Sequence, residues 1–300
     1  MQLQLLIVLQ SLSNPVLDAI SELFSLFGEI APPMLFVLII YWNISKKKGF
    51  ALLGALLSTM LAANVLKTLV RCQRPFQLFP DKINPGRIET ATGYSFPSGH
   101  TTLASVFYPS LYSLFRKKEL KAAAAVLIAG ICLARLYLGV HWPLDVIGGL
   151  TLGLAMALLL PSIFTALWDD EKGFVRFAIC WGSVLTALAV LLVVELDAGV
   201  IETLAWNDLS IALSITGSAL LGFGSERRVV GFVPDKGSLG LKTARTLLGA
   251  LSALLVIWLL SLSPLPAATR TFFMLSVTVF WEVFLYPWLG VKLRLFSDNA

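Results

Sequence analysis

Charge is the scarcest commodity in this chain: of 300 residues, 14% are Asp, Glu, Lys or Arg, against 57% hydrophobic. A soluble domain averages roughly 25% charged, and a globule of this size could not hide so much apolar surface from water. With a mean hydropathy of +0.82, the composition places the chain in a bilayer. A disordered protein, a disulfide scaffold and a nucleic-acid-binding domain are all excluded by it. Histidine is scarcer still, limited to His100 and His141, so a histidine inside a motif stands out from almost no background. Cys72, Cys132 and Cys180 are an odd number without metal-ligand spacing, and are read as buried small hydrophobes. No Lys or Arg precedes Lys46. No basic region therefore stands ahead of the first apolar stretch, and a cleaved secretory signal is not expected.

Long apolar runs are abundant. A spanning helix needs about 20 mainly apolar residues, and such runs fall near 31–45, 49–69, 99–115, 122–138, 144–161, 177–194, 209–223, 246–262 and 271–290. They predict an all-α, polytopic membrane helix bundle of eight or nine transmembrane helices. Residues 1–30, interrupted by Asn14, Asp18, Glu22 and Glu29, read as an amphipathic segment lying at the interface. Six of the eight tryptophans, Trp42, Trp142, Trp168, Trp181, Trp206 and Trp288, stand near span ends, as an aromatic belt would. Gly149 and Gly153 form a small-xxx-small pair suited to close helix packing.

The formal net charge of +5 averages two unlike sets of cations. Alternate loops hold Lys46–Lys48, Arg116–Lys121, Lys172–Arg176, Arg227–Arg245 and Lys292–Arg294, together sixteen of the 23 Lys and Arg. The positive-inside rule makes that side cytoplasmic. Lys67, Arg71, Arg74, Lys82, Arg87, Arg135 and Arg270 remain for the outer side. Three costly stretches meet there by the alternation of spans. They are Lys67 to Pro75, Tyr94 to His100, and Ala134 to Asp145.

Depth sharpens the point. Arg135 lies fourteen residues beyond Lys121, about 21 Å along a helix, which leaves it in the outer leaflet of a core about 30 Å thick. A lone cation there costs about 2.5–3.5 kcal/mol or more and should meet an anion inside the bundle. Lys67, Arg74 and Arg135 offer three cations, while Asp145 is the one acid within these stretches. The missing negative charge is most simply a bound phosphate, which arginine grips in bidentate fashion. Pro97 and Pro143 read as first-turn helix prolines, placing Ser98, Gly99 and His100 where free N–H groups bind anions. His141 and Asp145 are four apart, so the carboxylate can fix the imidazole tautomer and make it a better base or nucleophile. His100 is left to protonate a leaving group.

The spacing Lys67-x6-Arg74-Pro75, then Pro97-Ser98-Gly99-His100, then Arg135-x5-His141-x3-Asp145 resembles the three-part signature of the type 2 phosphatidic acid phosphatase superfamily. These are the integral-membrane lipid phosphate phosphatases. One departure is visible: the third part usually reads Ser-Arg, and here it is Ala134-Arg135, so one hydroxyl contact to phosphate is missing. The resemblance implies that His141 attacks phosphorus to form a phosphohistidine, with Asp145 orienting it and His100 protonating the departing oxygen and later activating water. It implies that Lys67, Arg74 and Arg135, with the Ser98 hydroxyl and the Ser98 and Gly99 amides, hold the phosphoryl oxygens. Those cations stand in for a metal, so neither metal nor other cofactor is expected.

The expected layout is an interfacial segment 1–30, a membrane phosphatase core 31–165, and a transmembrane extension 166–300 of unassigned role. The expected substrate is a lipid phosphate or isoprenyl diphosphate, of the undecaprenyl diphosphate, phosphatidate or phosphatidylglycerol phosphate type. It would be met at the extracytoplasmic face of a cell membrane, of bacterial plasma-membrane type. A phosphotransferase with the same covalent step is the alternative chemistry. An anion transporter is the alternative class, although a transport path needs no aligned nucleophile. Outside the signature, Glu282 is an intramembrane acid and so a candidate for function or for a structural hydrogen bond. Glu195, Asp197, Glu202 and Asp208 read as a solvated edge.

Overall fold

The computed structural model describes residues 1–297. Among them the regular elements are helical, with one isolated antiparallel bridge between Val233 and Ser297. Among the described residues seven helical segments are long and apolar enough to cross a membrane, and an eighth crossing is added if the bent pair Pro15–Phe27 and Ala31–Asn43 is one broken span. The chain is an all-α, multi-span membrane protein. It divides into two compact units: Met1–Met34 with Ala55–Ser162, and Leu35–Gly54 with the chain from Ile163 onward.

The first unit holds α1 (Gln2–Ser11), α2 (Pro15–Phe27), the start of α3 (Ala31–Asn43), most of α4 (Lys46–Val70) and the single turn α5 (Pro75–Leu78). It continues with α6 (Gly99–Phe115), α7 (Lys118–Tyr137) and most of α8 (Pro143–Asp169). Residues 1–30 are thus two helices. Asn14 starts the second: its Oδ1 accepts from the N–H groups of Val16 and Leu17, each at 3.1 Å, with Pro15 at the first helical position, the residue types that favour a helix start. Asp18, Ser21, Glu22 and Ser25 recur at three- and four-residue spacing and so share one face. Ser21 and Ser25 are buried, whereas Val16, Ile20, Leu23 and Leu26 are exposed. The polar side of α2 faces inward. There the Tyr137 hydroxyl donates to Asp18 Oδ1 at 2.5 Å and the Tyr108 hydroxyl donates to the Phe27 carbonyl at 2.7 Å.

α6 is shorter than a standard span. Its 17 residues make about 26 Å of helix, and His100, Thr101, Thr102, Ser105 and Ser110 along it are buried. The small pair on α8 explains how it is covered. A Cβ on Gly149 would lie 2.7 Å from the Ser98 carbonyl oxygen, and one on Gly153 would lie 2.7 Å from that of Thr102. Backbone approach this close requires glycine. Pro143 opens α8, but Pro97 precedes the N-cap Ser98 of α6. The expected first-turn proline is therefore found at one of the two positions only.

The second unit holds α9 (Glu171–Asp197), α10 (Thr203–Val229), α11 (Leu239–Ser261), α12 (Ala267–Phe280), a π turn (Trp281–Leu285) and α13 (Tyr286–Lys292). Phe50 lies edge-on to Phe164, Phe174 and Phe223, with ring centroids 5.5, 4.9 and 5.1 Å away. Beside them Lys46 pairs with the buried Glu226 at 2.9 Å. The π turn frees carbonyls that an α-helix would use. Trp42 Nε1 donates to that of Glu282 and the Tyr41 hydroxyl to that of Val283, each at 3.1 Å. Glu282 itself is buried, and its Oε1 accepts from the Ser252 hydroxyl at 3.4 Å.

Two expectations change here. None of the three cysteines is fully buried: Cys72 and Cys132 are intermediate and Cys180 is exposed, all with free thiols. In a membrane protein an apolar surface is a normal place for so small a hydrophobe, and burial need not follow from an apolar neighbourhood. Asp197 is more than part of a solvated edge. Its carboxylate accepts from the N–H groups of Ala268 and Thr269, at 3.0 and 2.8 Å, and from the Thr269 hydroxyl at 2.6 Å. It thereby caps α12. Asp197→Ala is expected to remove about 1 kcal/mol of stability, seen as a lower unfolding midpoint in detergent.

Candidate active site

Each of the eight sequence-predicted site residues lies in the first unit. Lys67 comes from the last turn of α4, Arg74 caps α5, and Ser98, Gly99 and His100 open α6. Arg135 ends α7, His141 occupies the turn after it, and Asp145 sits in the first turn of α8. Gly139, with φ +65°, reverses the chain between α7 and α8. A side chain at that conformation would be strained, and its Cβ would also lie 2.6 Å from Gln10 Nε2 and Ile83 Cγ2. Lys67, Arg74, Ser98, His100, Arg135, His141 and Asp145 are all buried.

The hydrogen bonds assign the state of His141. Arg74 Nη1 stands 3.2 Å from His141 Nε2, and a guanidinium can only donate. Nε2 therefore carries the lone pair and Nδ1 the proton. Nδ1 faces Ser95 Oγ at 3.4 Å and Asp145 Oδ2 at 3.6 Å. The Ser95 hydroxyl donates to Asp145 Oδ2 at 2.5 Å, and the Trp142 N–H donates to the same oxygen at 2.7 Å. The carboxylate thus orients the imidazole chiefly through Ser95, a residue the spacing argument passed over. Nothing in the sequence distinguishes Ser95 from other serines; its burial and the tie of its N–H to the Cys72 carbonyl at 2.8 Å appear only in three dimensions.

Burial pushes the His141 imidazole well below its ordinary value of 6.5, and the charges of Arg74, Arg135 and Lys67 act in the same direction. The sign follows from the protonated form being the cation, which burial and neighbouring cations both disfavour. His141 should therefore stay neutral, with Nε2 unprotonated, at pH values below 6.5. Nitrogen NMR of labelled imidazole in detergent checks this, and a midpoint at or above the free value would contradict the assigned network.

Arg74 is held by backbone carbonyls: Nε by Gly93 at 3.1 Å, Nη1 by Val140 at 2.9 Å and Nη2 by Thr92 at 2.5 Å. Lys67 Nζ reaches the Thr92 carbonyl at 3.4 Å and lies 3.9 Å from where a Cβ of Gly99 would be. The Ser98 N–H is spent internally, donating to the Asp145 carbonyl at 2.9 Å. That corrects the expectation that it binds phosphate. Gly99 and the residues after it still present N–H groups without intrahelical acceptors.

Arg135 is fully buried, with Nη1 3.4 Å from Ser25 Oγ and with Nε and Nη2 lacking any partner. Ser98 Oγ and His100 Nε2 are also buried without partners. Buried polar atoms are nearly always satisfied, so a cluster of orphans needs an explanation. Close by, Arg87 bridges Glu22 at 2.5 Å and Glu29, two acids placed on the N-terminal segment that the charge balance had left out. Among the described residues no group of three or more His, Cys, Asp or Glu is placed to hold a metal.

Comparison with known proteins gives these features a family. Residues 48–169 match the PAP2 superfamily, and residues 212–299 match the transmembrane extension of PAP2 superfamily phosphatases. The chain is 30% identical to the undecaprenyl-diphosphatase of Sulfolobus acidocaldarius over 39% of its own length and 55% of that protein's. It is 37% identical to phosphatidylglycerophosphatase B of Bacillus subtilis over 27% of its length and 41% of that protein's. It is 30% identical to the bacitracin transport permease protein BcrC of Bacillus licheniformis over 49% of its length and 70% of that protein's. The chain thus spans about half the length of the first two relatives. The two matched regions together take in more than half of this chain, and it belongs to the PAP2 superfamily.

Proposed function

We propose that the protein is a metal-independent phosphatase of lipid phosphates or isoprenyl diphosphates, acting through a phosphohistidine at the extracytoplasmic face of a cell membrane. The observation that carries this reading is the orphan set, Arg135 Nε and Nη2, Ser98 Oγ and His100 Nε2, buried in the unit that also holds the neutral His141. A phosphoryl group supplies acceptors for those atoms and balances the surplus of cations. His141 Nε2 attacks phosphorus, and the bond to the leaving oxygen breaks as His100 donates a proton to it. Asp145 and Ser95 hold the imidazole and stabilise the positive charge it gains. His100 then takes a proton from water as that water displaces His141, releasing phosphate and restoring both rings. Lys67, Arg74, Arg135, the Ser98 hydroxyl and the Gly99 amide steady the oxygens throughout. The names of two relatives, an undecaprenyl-diphosphatase and a phosphatidylglycerophosphatase, support a lipid substrate of these types. The cation distribution supports the outer face.

The test is phosphate release by detergent-purified protein in EDTA, across a panel of undecaprenyl diphosphate, phosphatidate and phosphatidylglycerol phosphate. Turnover undiminished by the chelator is expected with at least one of them. Release that needs an added divalent cation would refute metal independence, and turnover only with an acceptor lipid present would make the protein a transferase.

A further inference from the structure

Helix α2 and the glycine that ends it lie outside the stretch 67–145 that carries the signature, yet two residues there, Ser25 and Gly28, touch its working groups. Ser25 Oγ is 3.4 Å from Arg135 Nη1 and is the one hydrogen-bond partner of that guanidinium among the described residues. Ala134 carries no hydroxyl, so the hydroxyl that does reach Arg135 comes from α2. Gly28, which ends the helix, lies against the His100 ring. A Cβ there would be 3.1 Å from His100 Cβ and Cδ2 and 3.1 Å from Ile131 Cγ2. Glu22 and Glu29, flanking these two, fasten the helix to Arg87 in the segment leading to α6. Ser25 is fully buried, so its hydroxyl is not there for solvation.

We propose that α2 is the wall that positions two working groups of the site, Ser25 setting the guanidinium of Arg135 and Gly28 leaving the space that sets the imidazole of His100. The two positioning residues act on different parts of the reaction. Arg135 meets phosphoryl oxygens, which are the same for every monoester. His100 meets the leaving oxygen, whose need for a proton depends on its basicity. This inference rests on the roles given above to Arg135 and His100, and its test separates the two levels.

Release of the leaving group in the first turnover, before water enters, is compared for an alkyl phosphate and a nitrophenyl phosphate on single preparations of each variant, so that the ratio of the two rates does not depend on how much protein is folded. Ser25→Ala should slow both substrates alike, by about 3- to 10-fold, through a misplaced Arg135. Gly28→Ala moves His100 by a few tenths of an ångström. Since a 1 Å misplacement can cost about 100-fold, it should slow the alkyl ester about 3- to 10-fold and the nitrophenyl ester little. In a His100→Ala background, Gly28→Ala should add no further selectivity, because the group it displaces is gone. Equal losses on both esters with Gly28→Ala would overturn the proposal and leave α2 a purely structural helix. If His100→Ala itself shows no preference for the good leaving group, the assignment of His100 as acid fails instead.

Discussion

Replacing Arg135 by methionine is expected to lower kcat/KM by about 100- to 1,000-fold while leaving the unfolding midpoint unchanged or higher. The two halves of that expectation come from one observation. The guanidinium is fully buried with Nε and Nη2 unpartnered, and an uncompensated cation at membrane depth costs about 2.5–3.5 kcal/mol or more. Methionine fills a similar volume without charge, so the empty site loses a source of strain, set against one long hydrogen bond to Ser25. Reactivity should fall because the planar donor pair proposed to grip a phosphoryl oxygen is gone. Lysine should not restore it, lacking the fork of donors. A phosphate mimic such as orthovanadate should raise the midpoint of the unaltered protein by binding the folded state and raise that of the variant much less. A variant that is both inactive and strongly destabilised would mean that Arg135 is a structural cation already paired.

His141→Ala carries the largest expected effect, a loss of about 10⁴-fold or more in kcat, as for other enzymes deprived of a covalent nucleophile. The network around the ring makes the expectation specific. Nε2 is unprotonated because Arg74 donates to it, and Nδ1–H is turned toward Ser95 and Asp145. Alanine removes the proposed attacking atom and leaves Lys67, Arg74 and Arg135 in place, so substrate should still bind. KM should change far less than kcat. Loss of binding with retained turnover at saturation would instead make His141 a phosphate ligand.

How much of this was legible beforehand depends on what kind of information each residue carries. Lys67, Arg74, His100, Arg135, His141 and Asp145 stood out because charge and histidine are rare in an apolar chain, so their positions alone pointed to one place. Ser95 did not, since a serine is cheap anywhere and only its contacts single it out. Helix α2 was harder. Asn14, Asp18, Glu22 and Glu29 in the sequence suggest an amphipathic segment at the interface, but Ser21 and Ser25, on the same face as Asp18 and Glu22, are buried and the apolar side is exposed. In a membrane the usual rule of apolar residues inward loses its force, because lipid accepts apolar side chains as readily as the interior does. Periodicity found the two faces of α2, but which face turned inward was settled by the partners on α7 and by Arg87. Likewise the π turn at Glu282 has no sequence marker of its own; it is recognised through Tyr41 and Trp42, some 240 residues away along the chain.

The proposed covalent step has a direct test. In His100→Ala, His141 should still attack the phosphorus of a nitrophenyl phosphate, whose leaving group departs without an acid, but the variant should lack the group that activates water for the second step. Such a variant, given labelled substrate and quenched in alkali, should accumulate label on the Nε2 nitrogen of His141, identified by mass spectrometry of the peptide that contains it. Turnover of the unaltered protein with no label trapped on His141 in either form, or label found on His100, would contradict the phosphohistidine account.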